Sequence, residues 1–401
     1  MSGPGDRHFD EFHDHTKLKH LILRKYVGAW AAKLRNLRGE VWFVDAFAGE
    51  GQDKKGNPGS PLISAQLAEP FENDGQGVMR ILAIEKDEAR FTRLEEVMRP
   101  YTDRKIAYVR DGTLAERVDK FMGFIGDKPA LFFLDPFGVE GLLVDLLPKL
   151  LRGPQNEVFA LFADVGANRL HAVLMAEGKN PDQEEQAVRA TPSLFSQFEE
   201  EDAQRARVAA EKSLRALRAT QDASERILSE ALGPSTLEEL AAVPEHERRE
   251  WLVHRYMRRL FESGARYVLA LPVRDASSQR VYQLVYATKS AVGLRTMKEA
   301  MDSALRHTTL PDESKELILA ELRGNEDAAV RELARYFAGR EVRWTEDKDR
   351  KSDTVKRYLL EQTALFPMQF SKVQQCLAET GFVASKRPLT LRFPPIPEPQ
   401  E

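Results

Sequence analysis

Five short apolar runs in the N-terminal part of the chain each end on an acid: VWFVD at Asp45, ILAIE at Glu85, IAYVRD at Asp111, ALFFLD at Asp135 and EVFALFAD at Asp164. The first is followed by Phe47 and by Gly49-Glu50-Gly51. Glycines at such a turn let backbone amides approach a ligand closely. A carboxylate just before them suits a cation and repels a phosphate. The dinucleotide fingerprint G-x-G-x-x-G also fails at its third glycine, where Lys54 stands. S-adenosylmethionine presents an ammonium, a carboxylate and a sulfonium, so Asp45 with Phe47, Gly49 and Gly51 favours it over NAD. The alternative for the two glycines is a structural turn.

The other strand ends extend the same chemistry. A carboxylate at Glu85 can accept from two ribose hydroxyls, one per oxygen, or can serve as a helix N-terminal acid. Asp111-Gly112 offers an acceptor for an adenine amino group, or a simple turn. Asp135-Pro136-Phe137-Gly138 is the most informative stretch. Methylating an exocyclic amine requires the nitrogen lone pair to aim at the sulfonium methyl. The Asp135 carboxylate and the Pro136 carbonyl can take the two N–H bonds and leave that lone pair free. The ring of Phe137 can stack on a flat base. An Asp-Pro turn closing a strand is the structural alternative.

Two basic stretches flank these acids. In FHDHTKLKH the histidines at 15 and 20 share no clean i,i+4 face, so no zinc site is expected. Lys19 is placed beside the cofactor carboxylate, with a solvated helix start as the alternative. After Gly51 comes the insertion QDKKGNPG, which puts Glu85 34 residues past that glycine. Roughly 20 separate motif and acid in a plain dinucleotide fold. The insertion is expected to be a flexible loop that carries Lys54 and Lys55 to the mouth of the site, facing a polyanionic substrate. Ser60-Pro61 then supplies an N-cap and a first-turn proline for a helix over 62–69.

The elements that must position these residues follow from periodicity. Residues 16–34 space Leu18, Leu21, Ile22, Tyr26, Ala29, Trp30 and Leu34 as one helical face. The five apolar runs lack alternation, which suits parallel strands covered on both faces. Helical patterns at 62–69, 86–98, 113–124 and 139–151 separate them, giving an α/β sheet with right-handed crossovers. RYVLALPV (266–273) and VYQLVYAT (281–288) are joined by too few residues for a crossover and must pair as an antiparallel hairpin. A parallel sheet finished by a hairpin is the Rossmann-like class I methyltransferase arrangement.

The domain plan is a methyltransferase-like domain over 1–305, a winged helix-turn-helix-like domain over 306–393 and a disordered tail over 394–401. Within the first, residues 177–244 turn to Ala, Glu, Arg and Gln and read as a helical insertion, exposed or packed on a partner, in which AEKSLRALRATQDASERIL suits a solvated helix or a short coiled-coil face; helix 246–263 returns to the sheet, and 292–305 is helical. The tail region holds helices at 312–322, 327–338, 353–364 and 370–380 before FVASKRPLTLRF, a basic two-stranded ribbon. Lys386 and Arg387 lie at its turn and could hold phosphate. Upstream, Lys348, Arg350, Lys351, Lys356 and Arg357 are interleaved with Glu346, Asp347, Asp349 and Asp353, which also suits a solvated face.

The bulk numbers set outer bounds. The 401 residues carry a net charge of -4 and 42% hydrophobic side chains, ordinary for a soluble protein. The one cysteine, Cys376, excludes an internal disulfide or a thiolate cluster built from this chain alone. The N-terminus has no secretory pattern, and no apolar run approaches the roughly 18 residues of a membrane span. A cytoplasmic location is expected.

Taken in order, HTKLKHLILRKYVGAW, VDAFAGEG with the later GSPL, AIEKD, FFLDPFG and RYVLALPV…VYQLVYATKSAVGLRTMKEAM resemble the three-Cys-motif partner proteins (TcmP), over about residues 9–304. The resemblance implies a class I S-adenosylmethionine-dependent methyltransferase, often with a C-terminal winged helix, that associates with a separate protein bearing three cysteines. HTKLKH and DPFG are also distantly similar to ribosomal RNA adenine-N6 methyltransferases of the RlmJ type. There a basic N-terminal motif contacts the cofactor and an Asp-Pro-Pro-aromatic motif holds the amino group. In this chain the aromatic comes one residue early, as Phe137, and Gly138 takes its place.

The leading expectation is therefore methyl transfer to a nucleic-acid base, RNA or DNA. The alternatives are a non-catalytic subunit that keeps the sheet as a scaffold, and a protein or small-molecule methyltransferase. Acids retained at three strand ends, Asp45, Glu85 and Asp135, favour activity, and the tail argues against a protein or small-molecule substrate.

Overall fold

The computed structural model describes residues 14–72, 75, 77–136, 142–162, 225–274, 281–308, 326–345, 354–363, 365–386 and 389–393. In chain order the elements are α1 (Asp14–Arg38), β1 (Glu40–Asp45), α2 (Ser60–Ala68), β2 (Val78–Glu85), α3 (Glu88–Thr102), β3 (Ala107–Asp111), α4 (Leu114–Ile125), β4 (Ala130–Leu134), α5 (Leu147–Leu150) and β5 (Glu157–Phe162). Then come α6 (Thr236–Ala241), α7 (Arg248–Glu262), β6 (Tyr267–Arg274), β7 (Val281–Thr288) and α8 (Ala291–His307).

All seven expected strands form one sheet in the order β3-β2-β1-β4-β5-β7-β6. β1 pairs in parallel with β2 and with β4, as do β2 with β3 and β4 with β5. β6 and β7 form the antiparallel hairpin. This is the Rossmann-like class I methyltransferase sheet. Its strand order reverses between β1 and β4, and ligands of open α/β sheets bind beyond the carboxyl ends at such a switch point.

Both faces of the sheet are covered, which explains the unbroken apolar runs. Phe43, Phe133 and Phe159 turn one way, with ring centroids 6.1 and 5.6 Å apart along the row. They join the core that Leu18, Ile22, Trp30, Ile63, Leu94 and Met301 of the flanking helices complete. Phe132 turns the other way onto Phe121 of α4, at 6.2 Å. Truncating one of these phenylalanines to alanine costs about 3–5 kcal/mol. Helix starts are set locally: Asp87 caps α3, Thr113 and Glu116 form a capping box on α4, and Ser290 caps α8.

α1 runs from the carboxyl edge of the sheet to its opposite edge, and it contacts acids at both. Lys19 near its start reaches Asp135 after β4, whereas Tyr26 donates to Glu157, the first residue of β5. Around Glu157 the Tyr286 hydroxyl lies 2.6 Å from that of Tyr26, and Thr288 donates to Glu157 at 2.9 Å. Burial of this carboxyl lifts its pKa to about 7 despite the hydroxyl donors.

The C-terminal segment continues with α9 (Glu326–Tyr336), β8 (Glu341–Arg343), α10 (Val355–Gln362), α11 (Phe370–Glu379), β9 (Val383–Lys386) and β10 (Leu389–Arg392). β8 was not expected; it adds to the anticipated ribbon and gives a three-stranded sheet, β8-β10-β9. Leu333, Phe337, Trp344, Leu359, Val373 and Phe393 make its core. This segment is fastened to α8. Lys298, fully buried, donates to the carbonyls of Leu359, at 3.0 Å, and of Thr363. Phe366 is buried in the main core.

Residues 136–145 and 162–259 form a second compact unit. Its described part is helical at 225–232, at α6 and in most of α7. Arg255 ties it together through the Leu232 and Pro234 carbonyls, both at 3.2 Å, and Glu239 at 2.9 Å. Phe162 stacks on Tyr256. Most of the expected insertion (177–224), the expected helix at 312–322, the tail over 394–401, Phe137, Gly138, Asp164 and Arg387 lie outside the described residues.

Candidate functional site

Asp45 closes β1 and pairs in register with Phe133, so it stands at the switch point two residues short of the level of Asp135. It is fully buried, its Oδ1 accepts the Phe47 amide at 3.2 Å, and its Oδ2 has no hydrogen-bond partner among the described residues. Burial is the main reason its pKa rises to about 7; the Ser60 hydroxyl and the Phe47 amide favour the charged form, as does Lys19 more weakly, and the charge of Asp135 opposes it. An orphaned oxygen on a buried acid is a place where a donor is missing. An ammonium fits it.

Lys19 and Asp135 form an ion pair beside Asp45. The Lys19 side chain is 4% exposed and that of Asp135 19%. The ammonium also lies 5.8 Å from the centre of the Phe133 ring. The two residues, distant in sequence, were assigned separate roles from the sequence, and the fold joins them. Pro136 is buried next along the chain.

The glycine turn is held from β2. Glu85 accepts the Gly49 amide at 2.8 Å on Oε2 and the Asp87 amide at 2.9 Å on Oε1. Each oxygen keeps a second acceptor position for a hydroxyl. Gly49 and Gly51 both have positive φ, 61° and 81°, so glycine is needed for the backbone itself. Gly59 packs against the turn: a Cβ there would stand 2.9 Å from the Gly51 carbonyl oxygen.

Two expectations change here. The N-cap of α2 is Gly59, which makes no side-chain cap, and Ser60 lies inside the first turn. Its hydroxyl acts on Asp45 instead, a role that spacing alone does not reveal. The QDKKGNPG insertion is a hydrogen-bonded turn and not a loose loop. Buried Asp53 accepts the amides of Lys55 and Asn57 at 2.9 and 2.7 Å and the Asn57 side chain at 2.7 Å. Gln52 bridges Pro58 across its base, and Lys54 and Lys55 are exposed at its tip.

Asp111 stands beside Glu85 in register, but its side chain is 69% exposed and ion-paired to Arg117 at 2.6 Å. The structure does not bring it into the buried cluster. Lys386 ends β9, remote in sequence, and pairs by backbone with Leu389. Among the described residues no group of acids, histidines and cysteine could hold a metal, and no helix is long and apolar enough to cross a membrane.

No family model matches the chain, and no curated protein does. Solved structures similar to it include several described as methyltransferases. One is an O-methyltransferase from Bacillus cereus in complex with SAH, 10% identical over 70% of this chain and 84% of that one, with a TM-score of 0.32. Another is a putative O-methyltransferase from Klebsiella pneumoniae, 10% identical over 68% and 89%, with a TM-score of 0.29. A third is a putative caffeoyl-CoA O-methyltransferase from Staphylococcus aureus, 10% identical over 65% and 80%, with a TM-score of 0.29. Likeness this low adds nothing to the strand order, which shows the fold by itself.

Proposed function

We propose that this chain is an S-adenosylmethionine-dependent methyltransferase acting on the exocyclic amino group of a nucleic-acid base, in company with a separate three-cysteine protein. The observation that carries the reading is the orphaned oxygen of buried Asp45 at the switch point, with buried Lys19 beside it. One acceptor lacking a cation and one buried cation suit the two charges of an amino-acid moiety. Glu85 offers its remaining acceptor positions to ribose hydroxyls, and Phe47, Gly49 and Gly51 line the approach.

The bound donor would supply an electrophilic methyl group on a sulfonium. The chain supplies orientation. Asp135 and the Pro136 carbonyl accept the N–H bonds of the target amine, and no separate strong base is required when the proton leaves after transfer. Two features support a polyanionic substrate. Lys54 and Lys55 are exposed on a turn that Asp53 organises. The C-terminal order of helix, strand, two helices and two strands, with Lys386 at the ribbon end, supports the winged helix-turn-helix reading. The three-cysteine partner and the kinship with the TcmP and RlmJ-type proteins rest on the motif resemblance.

Calorimetry with S-adenosylmethionine on wild type and Asp45→Ala tests the donor site. Micromolar binding lost in the variant is expected; no binding by wild type overturns the reading. Transfer of labelled methyl to total RNA, to DNA and to the partner protein then tests the substrate class. Label on protein alone overturns the nucleic-acid assignment.

A further inference from the structure

We propose that Lys19 is a shared cation, kept on Asp135 in the free chain and yielded to the carboxylate of the methyl donor, so that Asp135 accepts a target N–H only once the donor is in place. This rests on the donor reading above. Asp135 with its partly open carboxylate is the group placed to meet a substrate amine, yet Lys19 already donates to its Oδ2. A carboxylate neutralised by a buried ammonium is a weak acceptor for a neutral amine. A buried ammonium in turn leaves its partner only for another anion, because an unpaired buried charge is costly.

The charges balance in both arrangements. In the free chain Lys19 answers Asp135, and Asp45, its pKa raised by burial to about 7, keeps an oxygen with no donor on it among the described residues. With the donor bound, its ammonium answers Asp45 and its carboxylate answers Lys19. Asp135 then faces the sulfonium side of the site with its charge restored. The exchange makes the order of binding compulsory: donor first, acceptor second. Lys19 is thus a positioning residue for Asp135.

The test compares S-adenosylhomocysteine, which carries the amino-acid moiety, with methylthioadenosine, which lacks it. Binding is measured by calorimetry on wild type, Asp135→Asn, Lys19→Met and the double variant. Removing the competing carboxylate in Asp135→Asn should tighten S-adenosylhomocysteine about tenfold and leave methylthioadenosine unchanged. Lys19→Met should weaken S-adenosylhomocysteine alone, and in the double variant the tightening should vanish. Unchanged or weaker S-adenosylhomocysteine binding by Asp135→Asn overturns the exchange while the donor site stands. Failure of wild type to bind either nucleoside overturns the donor reading and the exchange with it. Should Asp135→Asn not fold, nitrogen-15 lysine spectra of the wild-type chain decide. The Lys19 ammonium signal, assigned by its loss in Lys19→Met, should move with S-adenosylhomocysteine and not with methylthioadenosine. A signal indifferent to both overturns the proposal.

Discussion

Glu85 holds Gly49 by its amide at 2.8 Å, across 36 residues of chain, while its other oxygen holds Asp87. The carboxylate is thus a clamp on the glycine turn before any ligand arrives. Glu85→Ala should leave two amides without acceptors and cost about 1–3 kcal/mol in urea denaturation. It should also weaken S-adenosylhomocysteine and methylthioadenosine alike, since both carry the ribose. Unchanged stability would show that the turn stands without it.

Donor binding should depend on pH through Asp45, whose pKa lies near 7 in the free chain. Below that pH the acid is neutral and a bound ammonium must first displace its proton. Affinity for S-adenosylhomocysteine should therefore rise with pH, by up to about tenfold per unit below neutrality, and level off above it. Calorimetry in buffers of different ionisation heat should detect the released proton, and Asp45→Asn should flatten the profile.

Stability should move the opposite way. Asp45 and Glu157 both have pKa values raised by burial to about 7, so between their unfolded values and about 7 the folded chain binds more protons than the unfolded one. Stability is greatest at the acid end of that window and falls as pH rises through it, by about 1.4 kcal/mol per unit for each group. Denaturation midpoints should follow this trend, and Glu157→Gln should reduce its slope.

Two glycines of the inserted turn should behave differently. Gly59→Ala drives a Cβ to 2.9 Å from a backbone oxygen of Gly51, which has no side-chain freedom to yield. It should cost about 1–3 kcal/mol and weaken donor binding. Gly56, with φ of 79° and nothing within 4 Å, should lose only about 1–2 kcal/mol from backbone strain and keep its donor affinity.

Reversing Lys54 and Lys55 to glutamate should lower methyl transfer to nucleic acid and reduce its salt dependence. Affinity for S-adenosylhomocysteine should stay as in wild type, because both side chains stand outside the buried cluster. A loss of donor affinity would place the turn in the wrong role.

The sheet was legible because its strands are buried on both faces: VWFVD and ALFFLD have no polar position before the closing acid to confuse with a loop. β8 was not, since in Glu341-Val342-Arg343 only Val342 is buried, and a three-residue strand has no period. The site acids were readable as strand ends. Their partners were not. Lys19 and Asp135 meet only through the packing of α1 over the sheet, and Asp53 reads in sequence as one more polar loop residue. Glu157, charged at a strand start, gives no local hint that Tyr26, Tyr286 and Thr288 enclose it. Local sequence carries propensity; which polar groups meet depends on topology.

The seam of Lys298 and Phe366 between α8 and the C-terminal segment gives the proposed substrate grip the character of a caliper. A module on a slack tether samples many spans, and substrate length then matters gradually. A segment fastened in this way should keep one opening. Oligonucleotides too short to reach from the ribbon to Asp135 should gain nothing from the C-terminal segment, and those just long enough should gain all of it.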